Sequence, residues 1–159
     1  MAVEIERKFL VTGDAWRASA GPGQHLQQAY LSASAKNSIR LRIVDGTQAW
    51  LTIKSDYRGI ERDEYEYEVP VDEANEMLVL RQSGIIDKTR YPIPIDGLVW
   101  EIDVFSGDNT GLVLAEIELE HSTQALALPA WIGDEVTGTA RYQNSALARQ
   151  PFKTWVLSE

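Results

Sequence analysis

Seven short runs of this chain set charged side chains at alternate positions, with mostly apolar residues between them. They are Glu4-Ile5-Glu6-Arg7-Lys8, Arg40-Leu41-Arg42, Thr52-Ile53-Lys54, Arg62-Asp63-Glu64-Tyr65-Glu66-Tyr67-Glu68, Lys88-Thr89-Arg90, Glu101-Ile102-Asp103 and Glu116-Ile117-Glu118-Leu119-Glu120. In an extended strand, residues two apart share a face, so each run carries one charged and one apolar stripe. A solvated face explains one such run, but seven would leave the apolar stripes without a core. The bases Lys8, Arg40, Arg42, Lys54, Lys88 and Arg90 arrive largely apart from the acids Glu4, Glu6, Glu64, Glu66, Glu101, Asp103, Glu116 and Glu118. A guanidinium fork matches two phosphate oxygens, and an ammonium acts as a point charge. Clustered carboxylates suit Mg2+ or Mn2+, while the absence of Cys and the presence of only 2 His argue against zinc. A phosphate chain bridged to a divalent metal satisfies both sets at once.

Eight strands are expected to position these groups: Val3–Val11, Leu26–Ser34, Ser38–Asp45, Gln48–Ser55, Arg62–Val69, Ile86–Ile93, Leu98–Phe105 and Leu112–Glu120. Asp45-Gly46 and Asp96-Gly97 read as hairpin turns. A helix is expected from an N-cap at Asp72 to about Gln82, with Ala74, Met77, Leu78 and Arg81 along one side. Shorter helices are expected at Asp14–Ala18, Thr123–Leu128 and Gln143–Ala148. Short hairpins and an even strand count imply a mainly β fold with peripheral helices (α+β): an eight-stranded antiparallel barrel. Exposing Ile5, Phe9, Leu41, Ile43, Tyr65, Tyr67, Trp100, Ile102 and Ile117 together would create an apolar patch larger than monomers carry. The helices are therefore expected to cover the apolar stripe, which turns the charged stripe into a tunnel. Buried charges must be hydrated, paired or bound to a ligand. Structural salt bridging inside the barrel is the rival reading, and Arg62 fits either the interior or the rim.

The ordered runs also resemble a known family. Glu4-Ile5-Glu6-Arg7-Lys8 fits the ExExK signature of the CYTH superfamily, the triphosphate tunnel metalloenzymes, and the six later runs follow in order over nearly the full chain. Glu135-Val136-Thr137 and Arg141-Tyr142-Gln143-Asn144-Ser145-Ala146-Leu147-Ala148 look like the ending of compact bacterial members, the inorganic triphosphatases or tripolyphosphatases. The resemblance implies a tunnel that binds a triphosphate and hydrolyses it with Mg2+ or Mn2+. By matching motif, Glu4, Glu6, Glu116 and Glu118 would bind metal, and Lys8, Arg40, Arg42, Lys54, Lys88 and Arg90 would bind phosphates. Glu64, Glu66, Glu101 and Asp103 would complete the lining in metal-holding or water-positioning roles that the motifs do not separate. We place Glu101 and Asp103 with the metal ligands, and Glu64 and Glu66 with Lys8 and Tyr30 as catalytic groups. The same family includes class IV adenylate cyclases and thiamine triphosphatases. A non-catalytic polyphosphate-binding module is the alternative from another class.

At 159 residues the chain reads as one domain spanning 1–159. A net charge of −9 disfavours nucleic acid as a partner but allows a small anion in an enclosed site. No apolar run reaches the length of a membrane span, no signal-peptide core opens the chain, and a cytoplasmic monomer or homodimer is expected. His25 and His121 lack a nucleophile context, Gly21-Pro22-Gly23 is no phosphate-binding loop, and the 5 Trp are dispersed.

Overall fold

The computed structural model describes residues 3–155. Nine strands dominate it: β1 (Val3–Val11), β2 (Gln24–Ala33), β3 (Asn37–Val44), β4 (Gln48–Ser55), β5 (Glu61–Val69), β6 (Ile86–Ile95), β7 (Leu98–Ser106), β8 (Val113–Glu118) and β9 (Ile132–Glu135). Two short helices accompany them, α1 (Val71–Met77) and α2 (Asn144–Arg149). Pairing runs β5-β4-β3-β2-β6-β7-β8-β1, and β1 returns to β5. Every one of these pairs is antiparallel, so eight strands close into a barrel without a free edge.

Two tight turns fix the register. Asp45 and Gly46 have φ of 51° and 67°, and Asp96 and Gly97 have 51° and 78°. Positive φ at both central positions matches the right-handed twist of the flanking strands, and Asp-Gly tolerates it well. Register matters because a slip of one residue would turn every charge in a run to the opposite face.

The outer apolar stripe is covered in two places. Ile5 and Phe9 of β1, Trp100 and Ile102 of β7 and Ile117 of β8 pack beneath Trp16, which sits on a 3₁₀ turn at Ala15–Ser19, with Leu126 and Trp131 beside it. Leu41, Ile43 and Ala49 pack under α1 through Ala74, Val71 and Met77. A third cluster lies inside the barrel. Ile86, Phe105 and Leu114 share a face with Lys88, Asp103 and Glu116, and they meet Tyr142, Leu147 and Ala148 from the segment around α2. The interior is thus charged over one part of its length and apolar where α2 packs into it.

The structure departs from the sequence reading in several places. α1 begins at Val71 behind Pro70, whose φ of −60° suits a helix entry, so Asp72 lies within the first turn rather than at the cap. Beyond Met77 the helix tightens to a 3₁₀ turn at Leu78–Leu80. Residues 123–128 form no helix: they precede Pro129, which disfavours helical backbone before it, and Leu126 is drawn onto the outer cluster. β9 was not foreseen; it lies along β1 beside the start of β5. The helices also leave part of the stripe uncovered, since Tyr65 and Tyr67 remain 39% and 58% exposed.

Candidate active site

The antiparallel ladders carry the charged runs into rows. Glu6 lies opposite Glu118 and Lys8 opposite Glu116 across β1–β8. Arg40 lies opposite Thr52, which faces Glu66, and Lys54 lies opposite Glu64. Arg90 faces Asp103, and Glu101 faces Glu116. The result is a cavity of about 230 Å³ lined by six cations and seven carboxylates. The cations are Lys8, Arg40, Arg42, Lys54, Arg62 and Arg90; the carboxylates are Glu4, Glu6, Glu64, Glu66, Glu101, Glu116 and Glu118. A second cavity of about 290 Å³ shares Ser38, Tyr57, Arg62, Gln143 and Ser145 with it.

Depth sorts the charges. Lys8, Arg40, Lys54, Arg90, Glu4 and Glu116 are buried, whereas Glu66 and Glu118 are exposed along the wall. Arg90 is held by two parallel bonds to Asp103, at 2.7 and 2.8 Å, and by Glu116 at 3.1 Å. Lys8 Nζ lies 3.4 Å from Glu116 and donates to the carbonyl of Tyr142 at 3.2 Å. Lys54 reaches Glu4 at 2.9 Å and Glu64 at 3.3 Å. Arg40 donates to Thr52 Oγ1, which donates in turn to Glu66.

The protonation balance follows from these contacts. Burial alone would raise the Glu4 carboxyl, but Lys54 and Arg62 hold it down at about 2. Burial raises Glu6 to about 8, aided by Glu116 and Glu4. Burial also raises Glu64, with Glu4 adding to it, and it raises Glu118, with Glu4 and Glu101 adding to it. Glu116 stays well below the usual carboxylate range despite burial, because Lys8 and Arg90 flank it. Burial first, then Arg40 and Arg90, pull Arg42 down to about 9.

Most of the residues expected from sequence meet here. Lys88 and Asp103 do not reach the wall: both side chains are fully buried, 2.7 Å apart, behind Arg90. Arg62 belongs to the interior, 3.3 Å from Glu4 and stacked over the Tyr57 ring at 4.3 Å. Glu68 and Glu120 lie outside the lining. Tyr30 is on the wall. Sequence reasoning missed Tyr57, on the β4–β5 loop, where no periodic signal exists. It also missed Ser38, although it has the parity of Arg40 and Arg42. The segment after β9 holds the site from behind. Thr137 accepts the Lys8 backbone N–H at 2.8 Å, the Lys8 carbonyl accepts from Val136, and Asn144 accepts from Lys88 Nζ at 3.3 Å.

A closed antiparallel barrel that buries an ordered set of opposed charges is a small and recognisable class of protein. The CYTH domain model matches residues 2–149, and the chain belongs to that family. An inorganic triphosphatase of Acetivibrio thermocellus is 45% identical over 156 residues, which cover 98% of this chain and 99% of that protein. An inorganic triphosphatase of Nitrosomonas europaea is 40% identical over 150 residues, or 91% of this chain and 96% of that protein. The crystal structure of the inorganic triphosphatase NE1496 superposes with a TM-score of 0.65 at 35% identity, covering 93% of this chain and 95% of that one.

Proposed function

We propose that this protein hydrolyses inorganic triphosphate to pyrophosphate and phosphate with Mg2+ or Mn2+. The observation that carries this reading is a 230 Å³ cavity walled by buried guanidinium and ammonium groups, in a chain 45% identical to an inorganic triphosphatase. Apart from Tyr30 and Tyr57, every side chain lining the cavity is charged, a hydroxyl or an amide, so the wall offers no apolar slot for a base or a thiazolium ring. Tyr57 offers no free platform for a base on the face that Arg62 covers. Both features favour an inorganic chain over a nucleotide or thiamine triphosphate.

The carboxylates fit a hard divalent cation. Their donors are all oxygen, and the ladders set acids side by side, Glu6 opposite Glu118 and Glu101 opposite Glu116. Among the described residues, no three acidic or histidine side chains are already gathered around one point. Glu4, Glu6, Glu116 and Glu118 would hold the metal, with Glu101 beside them; Asp103 instead secures Arg90 and Lys88. The metal supplies Lewis-acid neutralisation of charge on the phosphate oxygens.

Lys8, Arg40, Arg42, Lys54 and Arg90 orient the phosphate chain and stabilise charge on the transferring group. A water oxygen bonds to the terminal phosphorus as the bridging P–O bond breaks, and that bond's electron pair leaves with pyrophosphate. Glu64 and Glu66, near the open side of the wall, take the water's proton and pass it to solvent, while Tyr30 helps to orient the chain. No covalent nucleophile is needed. No helix among the described residues is long and apolar enough to cross a membrane, and a cytoplasmic location is part of the proposal.

The test is phosphate release from tripolyphosphate, pyrophosphate, ATP and thiamine triphosphate, each with Mg2+, Mn2+ or Ca2+. Higher kcat/KM for ATP than for tripolyphosphate under the same metal would overturn the substrate assignment. Tight binding without turnover of any of them would favour a non-catalytic polyphosphate module.

A further inference from the structure

The six cations expected to hold phosphate differ in how they are themselves held. Lys8 faces Glu116, Arg40 faces Glu66, Lys54 faces Glu4 and Glu64, and Lys88 faces Asp103. Arg90 faces Glu101, Asp103 and Glu116. Among the described residues, Arg42 alone of these six has no carboxylate within ion-pair distance. Its Nε–H donates to Oε1 of Gln28 at 2.7 Å.

That contact is built into the fold. Gln28 stands directly across from Arg42 in the β2–β3 ladder and across from Ile86 on β6, and it is fully buried. Among the described residues its Nε2 meets no acceptor, so the side chain's one hydrogen bond is the one to Arg42. What it supplies is a single directed acceptor behind Arg42. A carboxamide oxygen aligns a guanidinium as a carboxylate does, but it brings no negative charge. A glutamate here would bind Arg42 more strongly and would neutralise it. An apolar side chain would leave the charge whole but unaimed. The Arg42 guanidinium is pulled down by burial and then by Arg40 and Arg90, which outweigh the upward pull of Asp103 and Glu116.

We propose that Gln28 is a positioning residue that aims Arg42 into the tunnel without spending its charge, so that Arg42 captures a substrate phosphate with no ion pair to break. Lys8, Arg40 and Lys54 each face a carboxylate that a phosphate would have to displace. This inference rests on the triphosphate reading above and adds a determinant of affinity that lies off the cavity wall.

Two variants separate aim from charge. Gln28→Glu adds a negative charge at the same acceptor position, and Gln28→Met removes the acceptor without adding charge. Thermal melts report folding. Titration calorimetry with diimidotriphosphate, whose bridging oxygens are NH groups, reports affinity in Mg2+, and tripolyphosphate turnover gives kcat and KM. Gln28→Glu should melt at the wild-type temperature or higher, yet bind the analogue at least about tenfold more weakly, with KM rising more than kcat falls. Gln28→Met should lose kcat while its affinity changes less than in Gln28→Glu. Wild-type affinity in Gln28→Glu, a lower melting temperature for it, or an unchanged kcat in Gln28→Met would overturn the proposal. Wild-type protein that binds the analogue but releases no phosphate would overturn the hydrolase reading while leaving the affinity comparison decisive. Wild-type protein that does not bind it would remove both.

Discussion

Replacing Glu6 by Gln turns the electrostatics of the metal-free tunnel into a measurable sign. Burial, followed by Glu116 and Glu4, moves the Glu6 carboxyl from 4.5 up to about 8. Near neutral pH the folded protein therefore keeps Glu6 protonated, while the unfolded chain has it ionised. Folding stability from this group is greatest below 4.5, declines as pH rises towards about 8, and is level above that. Across the roughly 2.5 pH units from 4.5 to neutrality, at about 1.36 kcal/mol per unit, the loss is on the order of 3 kcal/mol. Gln imitates the protonated carboxyl in the fold and cannot ionise in the unfolded chain, so it recovers that loss. For a domain of this size the gain corresponds to roughly 6–12 °C in Tm. Thermal melts of chelator-treated wild type and Glu6→Gln across a pH series should converge in acid and diverge towards neutrality. Mn2+ should then raise the wild-type Tm through binding linkage and raise the variant's much less. A variant that melts below wild type near neutral pH, with an unchanged response to Mn2+, would show Glu6 to be a structural ion-pair partner and would refute this reasoning.

Lys8→Ala, Arg42→Ala and Arg90→Ala should each lower kcat/KM by at least about tenfold, or about 1.4 kcal/mol, in steady-state phosphate release. Arg17→Ala should change it little, because Arg17 stacks on Trp16 at 4.5 Å on the outer layer, away from the cavity. Glu118→Gln should cost activity about a hundredfold, roughly 2.7 kcal/mol, while the metal-free protein melts no lower than wild type, since Glu4 and Glu101 repel the carboxylate it removes. Asp103→Asn should instead destabilise the protein by about 3–5 kcal/mol in urea unfolding, because it strips the counter-charge from Lys88, whose side chain is 0% exposed.

Much of the barrel was legible because a strand with one charged and one apolar stripe has only one workable orientation once the apolar stripes outnumber what a surface can expose. Parity alone put Glu4, Glu6, Lys8, Arg40, Arg42, Lys54, Arg90 and Glu116 on one wall, and the structure brings them together there. The same parity misjudged depth. Lys88 and Asp103 obey the alternation, but the apolar floor formed with Phe105, Ile86 and α2 buries them behind Arg90. Parity was also blind to irregular backbone. Tyr57 sits on a loop, and β9 is four residues long with no alternation of its own. The expected helix at 123–128 failed because Leu126 gains more from the outer cluster than a six-residue segment gains from an isolated helical turn, which is costly to nucleate. Gln28 was overlooked for a different reason. A neutral amide among charges carries no electrostatic signature until its partner is known.

The pairing of the site explains how so many charges share one small cavity. Three deep carboxylates are each satisfied by a cation at 2.7–3.4 Å, in the pairs Arg90–Asp103, Lys54–Glu4 and Lys8–Glu116. Those three acids are neutralised within the protein, and among the described residues no acidic trio converges on one point. An anion that takes Lys8 and Lys54 frees Glu116 and Glu4, and a cation that takes those carboxylates frees the two lysines. Neither ligand alone can do this without leaving one buried partner uncompensated, and such a charge costs several kcal/mol. The two ligands together leave none. A network that looks like structural salt bridging is thus also what a site for a joined polyanion and divalent metal must look like before either arrives. Arg42, held by a neutral amide, is the one phosphate cation outside that exchange.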